Sequence, residues 1–220
     1  MARSKEMIVD EQIKKWNSQK IQTSVKPSLK TVVTISREPG SGGKIVAGRL
    51  AENLMYDLFD QDLVKIMAEN SNKNQSILKT IDEKGLNLLD EWVTAVVEKN
   101  HLWPYEYMKV YLQVIGVIAN HGESVIVGRG GNFAVNPDIG LRVRIIAPLE
   151  VRVSNVVKEY SVPKEEALKR IKKTEAERSA FIRKYFYRDI DDNNNYDLII
   201  NMHNLSVNEV VRTIECALGV

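Results

Sequence analysis

A glycine-rich segment near the start of the chain carries residues that could bind a phosphate group. Residues 39–44 read PGSGGK and follow the β-branched run TVVTIS. Three glycines allow a tight path in which consecutive backbone N–H groups point inward, and a helix directly afterwards would face the anion with its N-terminus. Lys44 adds a mobile positive charge. The segment predicts a phosphate-binding loop, and a glycine-rich turn without a ligand stays the alternative.

Two residues depart from the usual phosphate-loop pattern G-x-x-x-x-G-K-[ST]. Glu38 stands at the first glycine, and Ile45 stands where a hydroxyl would bind magnesium. The first change lies at the entrance of the loop and is tolerable, because the glycines next to the lysine form the anion cradle. The second removes a ligand that Val46 cannot replace, so magnesium would be held by phosphates, water and carboxylates. Glu38, Asp60 and the hydroxyl of Ser41 are candidates, although spacing identifies none of them as a metal ligand.

The elements around the loop alternate between strands and helices. TVVTIS, MYDLFD, SVIV, LRVRIIAP and LIINM predict strands, and the longer amphipathic segments between them predict helices. This alternation predicts an α/β fold with a mostly parallel sheet covered by helices on both faces. The loops REPGSGGK, DQD, GRGGN and NMHN follow four of these strands. Because ligands bind at the carboxyl edge of such sheets, the sequence predicts a site there.

The composition excludes several classes of protein. The chain has 220 residues, 31 basic and 29 acidic side chains and a single cysteine. A net charge of +2 is too balanced for nucleic acid or a membrane to be the main partner. One cysteine forms no intrachain disulfide, and no signal peptide is visible, so we expect a soluble protein of the cytoplasm. The three histidines are scattered without metal-binding spacing, so no zinc site is expected.

The first 30 residues form an N-terminal appendage, predicted as a helix followed by an extended connector. Apolar residues near helical spacing indicate that the helix packs either on the core or on a second subunit, which leaves a homo-oligomer possible. The remaining residues, 31–220, are predicted to form one domain.

Five segments in order resemble the cytidylate kinase-like proteins, relatives of bacterial cytidylate kinase among the nucleoside monophosphate kinases. The segments are SREPGSGGK, LFDQDL, VIVGRGGN, PDIGLRVRIIAPLEVR and NYDLIINMHNLSVNEVV. The resemblance covers about residues 31–220. It implies a three-layer P-loop kinase fold with a helical acceptor-binding insertion at about 60–122 and a basic helical lid at about 150–190. The reaction implied is transfer of the γ-phosphate of ATP, with Mg²⁺, to a phosphate on a nucleoside monophosphate.

The resemblance also suggests which residues form the site. Those expected to contact ATP belong to the loop and its flanks: Arg37, Pro39, Gly40, Ser41, Gly42, Gly43, Lys44, Ile45 and Val46. Arg37 could instead pair with Glu38, but we favour phosphate. The loop NMHN is expected near the adenine. The residues expected to contact the acceptor are Asp60, Gly128, Arg129 and Arg152.

The lid segment is strongly basic, and arginines brought in by lid closure can stabilise a phosphoryl group in transfer. Arg178 and Arg183 match lid arginines of the relatives and, with Lys44, are the expected catalytic residues; Arg170 ranks behind them. The lysines of this segment are expected to be solvated surface charges.

Three functions stay open from the sequence. The first is an ATP-dependent kinase of CMP- or dCMP-like nucleotides. The second is a kinase of another small acceptor, because Gly130 replaces an aspartate of the cytidylate kinase motif and residues 70–102 carry no readable motif. The third is a nucleotide-binding regulatory protein without catalysis, suggested by Glu38 and Ile45.

Overall fold

The structure, a computed structural model, describes residues 4–18, 31–99 and 106–220. The connector expected at QTSVKPSLK lies outside these residues. Within them, five strands form one parallel sheet in the order β2-β3-β1-β4-β5. The strands are β1 (Val32–Arg37), β2 (Asp57–Phe59), β3 (Ser124–Val127), β4 (Gly140–Ile146) and β5 (Leu198–Asn201). The predicted parallel α/β architecture is confirmed, and β1, which carries the glycine loop, lies at the centre of the sheet.

Helices cover both faces of the sheet. They are α1 (Lys5–Ser18), α2 (Gly43–Leu54), α3 (Gln61–Glu69), α4 (Ser71–Leu78), α5 (Glu83–Lys99), α6 (Glu106–His121), α7 (Gly131–Ala134), α8 (Leu149–Tyr160), α9 (Lys164–Phe186) and α10 (Val207–Leu218), with a short 3₁₀ helix at Asn193–Asn195. No helix of the described ranges is both long and apolar enough to cross a bilayer.

The core lies in two apolar layers because successive side chains of a strand point to opposite faces. Val33 and Ile35 of β1 pack on one face with Leu50 of α2 and Ile214 of α10. The other layer contains buried side chains of α3, α5, α6 and the last turns of α9. The first of these layers fixes α2 against β1, so the glycine loop between them is held at the carboxyl edge of the sheet.

Helix α1 packs on its own chain, beside the edge strand β2. Trp16 is almost fully buried and stacks on the His121 ring, with ring centroids 4.4 Å apart. It also stacks on Phe59 of β2 at 5.8 Å, and Lys15 Nζ lies 2.8 Å from an Asp57 carboxylate oxygen. The apolar face of α1 is therefore used within the protomer.

Helices α8 and α9 form a hairpin over the carboxyl edge of the sheet. Val153 and Val156 of α8 pack on Ala167 and Ile171 of α9, which makes a small separate apolar cluster. The C-terminal end of α9 instead inserts Phe186 into the main core. One end of α9 is thus anchored to the body of the protein, while the other end contacts α8.

Candidate active site

The glycine loop makes a tight turn into α2. Gly40 and Gly42 have φ angles of +79° and +84°, which favour glycine, and Gly42 is the N-cap of the helix. The Ser41 hydroxyl is buried and donates to the Glu38 carbonyl at 2.9 Å. The Gly43 N–H donates to Ser41 Oγ at 3.4 Å, and the Ile45 N–H donates to the Gly42 carbonyl at 2.9 Å. The N-terminus of α2 can bind an anion through its remaining N–H groups and its helix dipole.

Glu38 fastens the entrance of the loop to β4 and α8. Its carboxylate accepts from the Ala147 N–H at 2.9 Å and lies 3.4 Å from Arg152 Nε. Arg152 is buried, donates to the Ala147 carbonyl at 2.9 Å, and forms an ion pair with Glu175 of α9. The residue that breaks the phosphate-loop pattern is therefore a structural anchor. Arg152, expected at the acceptor, instead joins the loop entrance to the α8–α9 hairpin.

A large cleft of about 1090 Å³ lies between the glycine loop and the α8–α9 hairpin. Lys44 and Ile45 line this cleft with exposed side chains, and the Ile45 side chain is 65% exposed. Met202 and Val207, which follow β5, line it as well. Val46 is fully buried in the core, so only its backbone is near the loop. The volume suits a ligand of nucleotide size with apolar contacts from Ile45.

Three arginines meet at a smaller cavity of about 90 Å³, called here the arginine cavity. Arg37 comes from β1, Arg129 from the turn after β3, and Arg178 from α9. Arg178 Nη1 donates to the Arg37 carbonyl at 2.7 Å. Burial, then Arg178 and Arg129, lower the pKa of Arg37 to about 9. Burial and Arg144 likewise lower the pKa of Arg178. The cavity concentrates positive charge that an anion would relieve.

The backbone around Arg129 is set by its neighbours. Arg129 has a left-handed φ of +52°, and its carbonyl accepts a hydrogen bond from the Tyr111 hydroxyl at 2.6 Å. Its guanidinium stacks over the Phe181 ring at 5.0 Å, and its buried Nε has no hydrogen-bond partner in the described residues. The Arg129 guanidinium lines the arginine cavity, and the Asp62 carboxylate interacts with it electrostatically.

Steric contact with Phe186 explains why a glycine stands at position 130. With φ at +72°, a Cβ built at this position would lie 2.3 Å from the Phe186 ring. A larger side chain such as aspartate at this position would overlap that ring, so the position of Phe186 requires a glycine here.

One face of α9 looks into the large cleft. Arg170, Thr174 and Arg178 line it, at the spacing of three to four residues that keeps side chains on one side of a helix. Arg183 is exposed and lines neither the large cleft nor the arginine cavity. Five residues turn a helix by about 500°, so Arg178 and Arg183 point in directions about 140° apart. The structure brings Arg178 to the site and leaves Arg183 outside it.

The candidate magnesium ligands all have structural partners. The Asp60 carboxylate caps α3 by accepting from the N–H groups of Asp62 and Leu63, each at 3.0 Å. Glu38 and Ser41 are held as described above. In the described ranges, no group of three His, Cys, Asp or Glu side chains could hold a metal ion. A metal entering this site would be held mainly by the oxygens of its ligand and by water.

Sequence reasoning missed Arg144. This residue of β4 is 6% exposed and donates to Ser36 Oγ at 3.2 Å and to the Tyr196 hydroxyl at 3.4 Å, with an ion pair to Asp191. It lines a third cavity of about 330 Å³, the β4 cavity, which also contains Arg37 and Arg178. A charged residue in the apolar strand LRVRIIAP was the available signal.

The glycine loop between β1 and α2, the strand order of the sheet and the hairpin over the cleft define a P-loop kinase fold. The profile of the cytidylate kinase-like family matches residues 32–204, which is most of the chain. The chain therefore belongs to the cytidylate kinase-like family, and the resemblance drawn from its motifs is confirmed. It is a phosphotransferase of the nucleoside monophosphate kinase-like type.

Individual relatives agree with this assignment. The chain is 28% identical over 200 residues to the cytidylate kinase of Methanopyrus kandleri, covering 87% of this chain and 94% of that protein. It is 28% identical over 190 residues to the cytidylate kinase of Sulfurisphaera tokodaii, covering 86% and 95%. A crystal structure of an uncharacterized protein from Eubacterium ventriosum matches with a TM-score of 0.68 at 25% identity, covering 86% of this chain and 98% of that chain.

Proposed function

We propose that this protein transfers the γ-phosphate of ATP to the phosphate of a CMP- or dCMP-like nucleoside monophosphate. The observation that carries the proposal is one pair of neighbouring sites. A glycine loop opens into a cleft of nucleotide size, and a cavity lined by three arginines adjoins it. The relatives named cytidylate kinase support a nucleotide as the acceptor.

The donor phosphates are assigned to the loop. Backbone N–H groups of residues 40–44, the N-terminus of α2 and the Lys44 ammonium would hold them. Ile45, Met202 and Val207 offer the apolar contacts that a purine ring needs. ATP would bring Mg²⁺, which supplies charge neutralisation on the phosphates. No free protein ligand for the metal lies at the loop in the described residues.

The acceptor phosphate is assigned to the arginine cavity. Arg129 and Arg178 both line this cavity, and Arg is suited to phosphate because its planar fork donates two hydrogen bonds at once. Arg178 is the catalytic lid arginine of this proposal because it alone of the two candidates reaches the site. Asp60 and Arg152 support the site through α3 and the loop entrance rather than by direct contact.

One observation favours a second candidate, a kinase of a different small phosphorylated acceptor. The Phe186 ring occupies the space of a Cβ at Gly130. The resemblance implies that the cytidylate kinase motif has an aspartate of the acceptor site at this position. The pyrimidine would then have to be recognised by other residues, or the acceptor would carry no pyrimidine.

The test is a panel of nucleoside monophosphates incubated with ATP and Mg²⁺, with products separated by chromatography. Turnover of CMP or dCMP supports the proposal. If no nucleoside monophosphate is phosphorylated but calorimetry detects ATP binding, the second candidate or a regulatory protein is favoured. Lys44→Ala is expected to abolish ATP binding, and Lys14→Ala, which removes an exposed lysine of α1, should leave it unchanged. Full activity of Lys44→Ala would overturn the donor assignment.

A further inference from the structure

Arg37, the last residue of β1, lies where the three cavities meet. It lines the large cleft, the arginine cavity and the β4 cavity. Its side chain passes between two glycines. A Cβ at Gly43 would lie 2.6 Å from Arg37 Cβ, and one at Gly128 would lie 2.1 Å from Arg37 Nη1. Both glycines leave room for this side chain, which places its guanidinium between the glycine loop and Arg129.

In the part of the chain that the structure describes, the guanidinium of Arg37 makes no direct contact with an anionic group. Among the residues that the structure describes, none forms a hydrogen bond or an ion pair with it. Two of the three charged groups that act on it, Arg129 and Arg178, are positive. The carboxylate that acts on it, Asp60, already caps α3 and lies 3.9 Å from Lys5. A half-buried cation among like charges is unfavourable in the free protein and would be stabilised by an anion.

Two other arginines of the site show what a structural role looks like. Arg152 is held by Glu38, Glu175 and the Ala147 carbonyl. Arg144 is held by Ser36, Tyr196 and Asp191. The N–H groups of both arginines donate to other groups of the protein, as those of buried arginines usually do. Arg37 does not, so its guanidinium is free for a ligand.

We propose that Arg37 is a catalytic residue that binds the transferring phosphoryl group and the acceptor phosphate together. This inference rests on the proposed function and deepens it. The arginine that neutralises the charge on the phosphoryl group during transfer would then be Arg37, on the strand before the glycine loop. Arg178 of the lid would be the second arginine that contacts this group. The acceptor it implies carries its reacting oxygen on an anionic group, a phosphate monoester.

The step balances without a change in the protonation of Arg37. An oxygen of the acceptor phosphate forms a bond to the γ-phosphorus of ATP with its own electron pair. The bond from the γ-phosphorus to the β,γ-bridging oxygen breaks, and that oxygen leaves on ADP with the bonding pair. Negative charge on the equatorial oxygens is shared between donor and acceptor during transfer. A guanidinium placed between the two can donate to both, which favours the transition state over either substrate alone.

The test compares Arg37→Met with the wild type in turnover, ATP affinity and thermal stability. We expect kcat to fall about a thousandfold, the scale of an arginine finger. ATP affinity is expected to change by less than about threefold because the cradle of Lys44 is intact. The midpoint of thermal unfolding should stay unchanged or rise, since the variant removes repulsion and no protein hydrogen bond. Arg37→Lys should restore only part of kcat because it keeps the charge and loses the fork.

Controls separate this inference from the proposed function. Arg212→Met removes an exposed arginine of α10 and should leave all three quantities unchanged. If the wild type turns over no nucleoside monophosphate, the proposed function fails. If it does so and Arg37→Met keeps its kcat, or loses activity only in step with a lowered unfolding midpoint, Arg37 is structural and the inference is overturned.

Discussion

The two sides of this active site are built in opposite ways. The proposed cradle for the donor phosphates comes from one continuous stretch, residues 37–45, whose strand, turn and helix are set by local sequence. The acceptor side is assembled from β1, the turn after β3, and α9, which are distant in the chain. A local motif tolerates a change such as Glu38 because a residue that is close in space can pair with the new side chain. Here Arg152 forms an ion pair with the Glu38 carboxylate. A site assembled by the fold changes whenever a single packing residue such as Phe186 changes.

The largest loss of stability is expected at Gly43, which belongs to the glycine loop and also packs against Arg37. Gly43→Ala should lower the free energy of unfolding by about 3 kcal/mol, because its Cβ would overlap Arg37 Cβ at 2.6 Å and crowd Ile145. ATP binding should weaken by at least about tenfold, or ~1.4 kcal/mol. Chemical denaturation and calorimetry measure the two. Gly48→Ala, in the same helix, meets nothing within 4 Å and should stabilise the protein by about 0.5–1 kcal/mol. Equal effects of the two replacements would contradict the loop geometry.

A comparison of two turn glycines isolates the acceptor side. Gly130→Ala should cost about 2–3 kcal/mol in denaturant unfolding because its Cβ would meet the rigid Phe186 ring. Gly128→Ala has a similar positive φ, but meets only the flexible end of Arg37, so about 1 kcal/mol is expected. Its main effect should be a loss of kcat as Arg37 is displaced. The comparison breaks down if Gly128→Ala is the more destabilising, or if it leaves turnover intact.

The anchor between loop and hairpin should belong to the donor side. Arg152→Met leaves the Glu38 and Glu175 carboxylates without their cation, and we expect a loss of about 2 kcal/mol in unfolding free energy. The KM for ATP should rise more than the KM for the acceptor, measured in separate titrations. Arg142→Met, which breaks the ion pair between β4 and Asp197, the residue before β5, serves as the control. If only the KM for the acceptor rises, Arg152 contacts the acceptor and its assignment to the donor side is wrong.

The smallest expected effect lies away from both sides. Burial lowers the pKa of His121 to about 4, below its unfolded value of about 6.5. The unfolded chain therefore binds more protons in this window, so stability is complete above pH 6.5 and falls as the pH drops towards 4. Between pH 7.5 and pH 5 we expect His121 to contribute a loss of about 1–2 kcal/mol. His121→Gln should flatten this dependence in denaturation curves, and the exposed His203→Gln should not. A pH profile unaffected by His121→Gln would contradict the assignment.

The sequence was sufficient for what depends on neighbours along the chain. The order of strands and helices and the turn that the glycine loop makes from β1 into α2 follow from local patterns, and the structure confirms them. The family follows from motifs in order.

What depends on packing between distant segments could not be read in the same way. The position of Arg152 follows from Glu38 and Glu175, two partners that no local spacing connects. Arg183 was grouped with Arg178 by similarity, whereas helix rotation separates them. The reason for Gly130 lies in Phe186, more than fifty residues later in the chain.

The packing of α1 on β2 has a practical consequence. Strand β2 is at the end of the sheet, and an uncovered strand edge is a template for pairing with other molecules. Trimming the chain to residues 31–220 would remove Trp16 and expose Phe59. Such a shortened protein should precipitate during purification even though every residue of the catalytic pocket is retained.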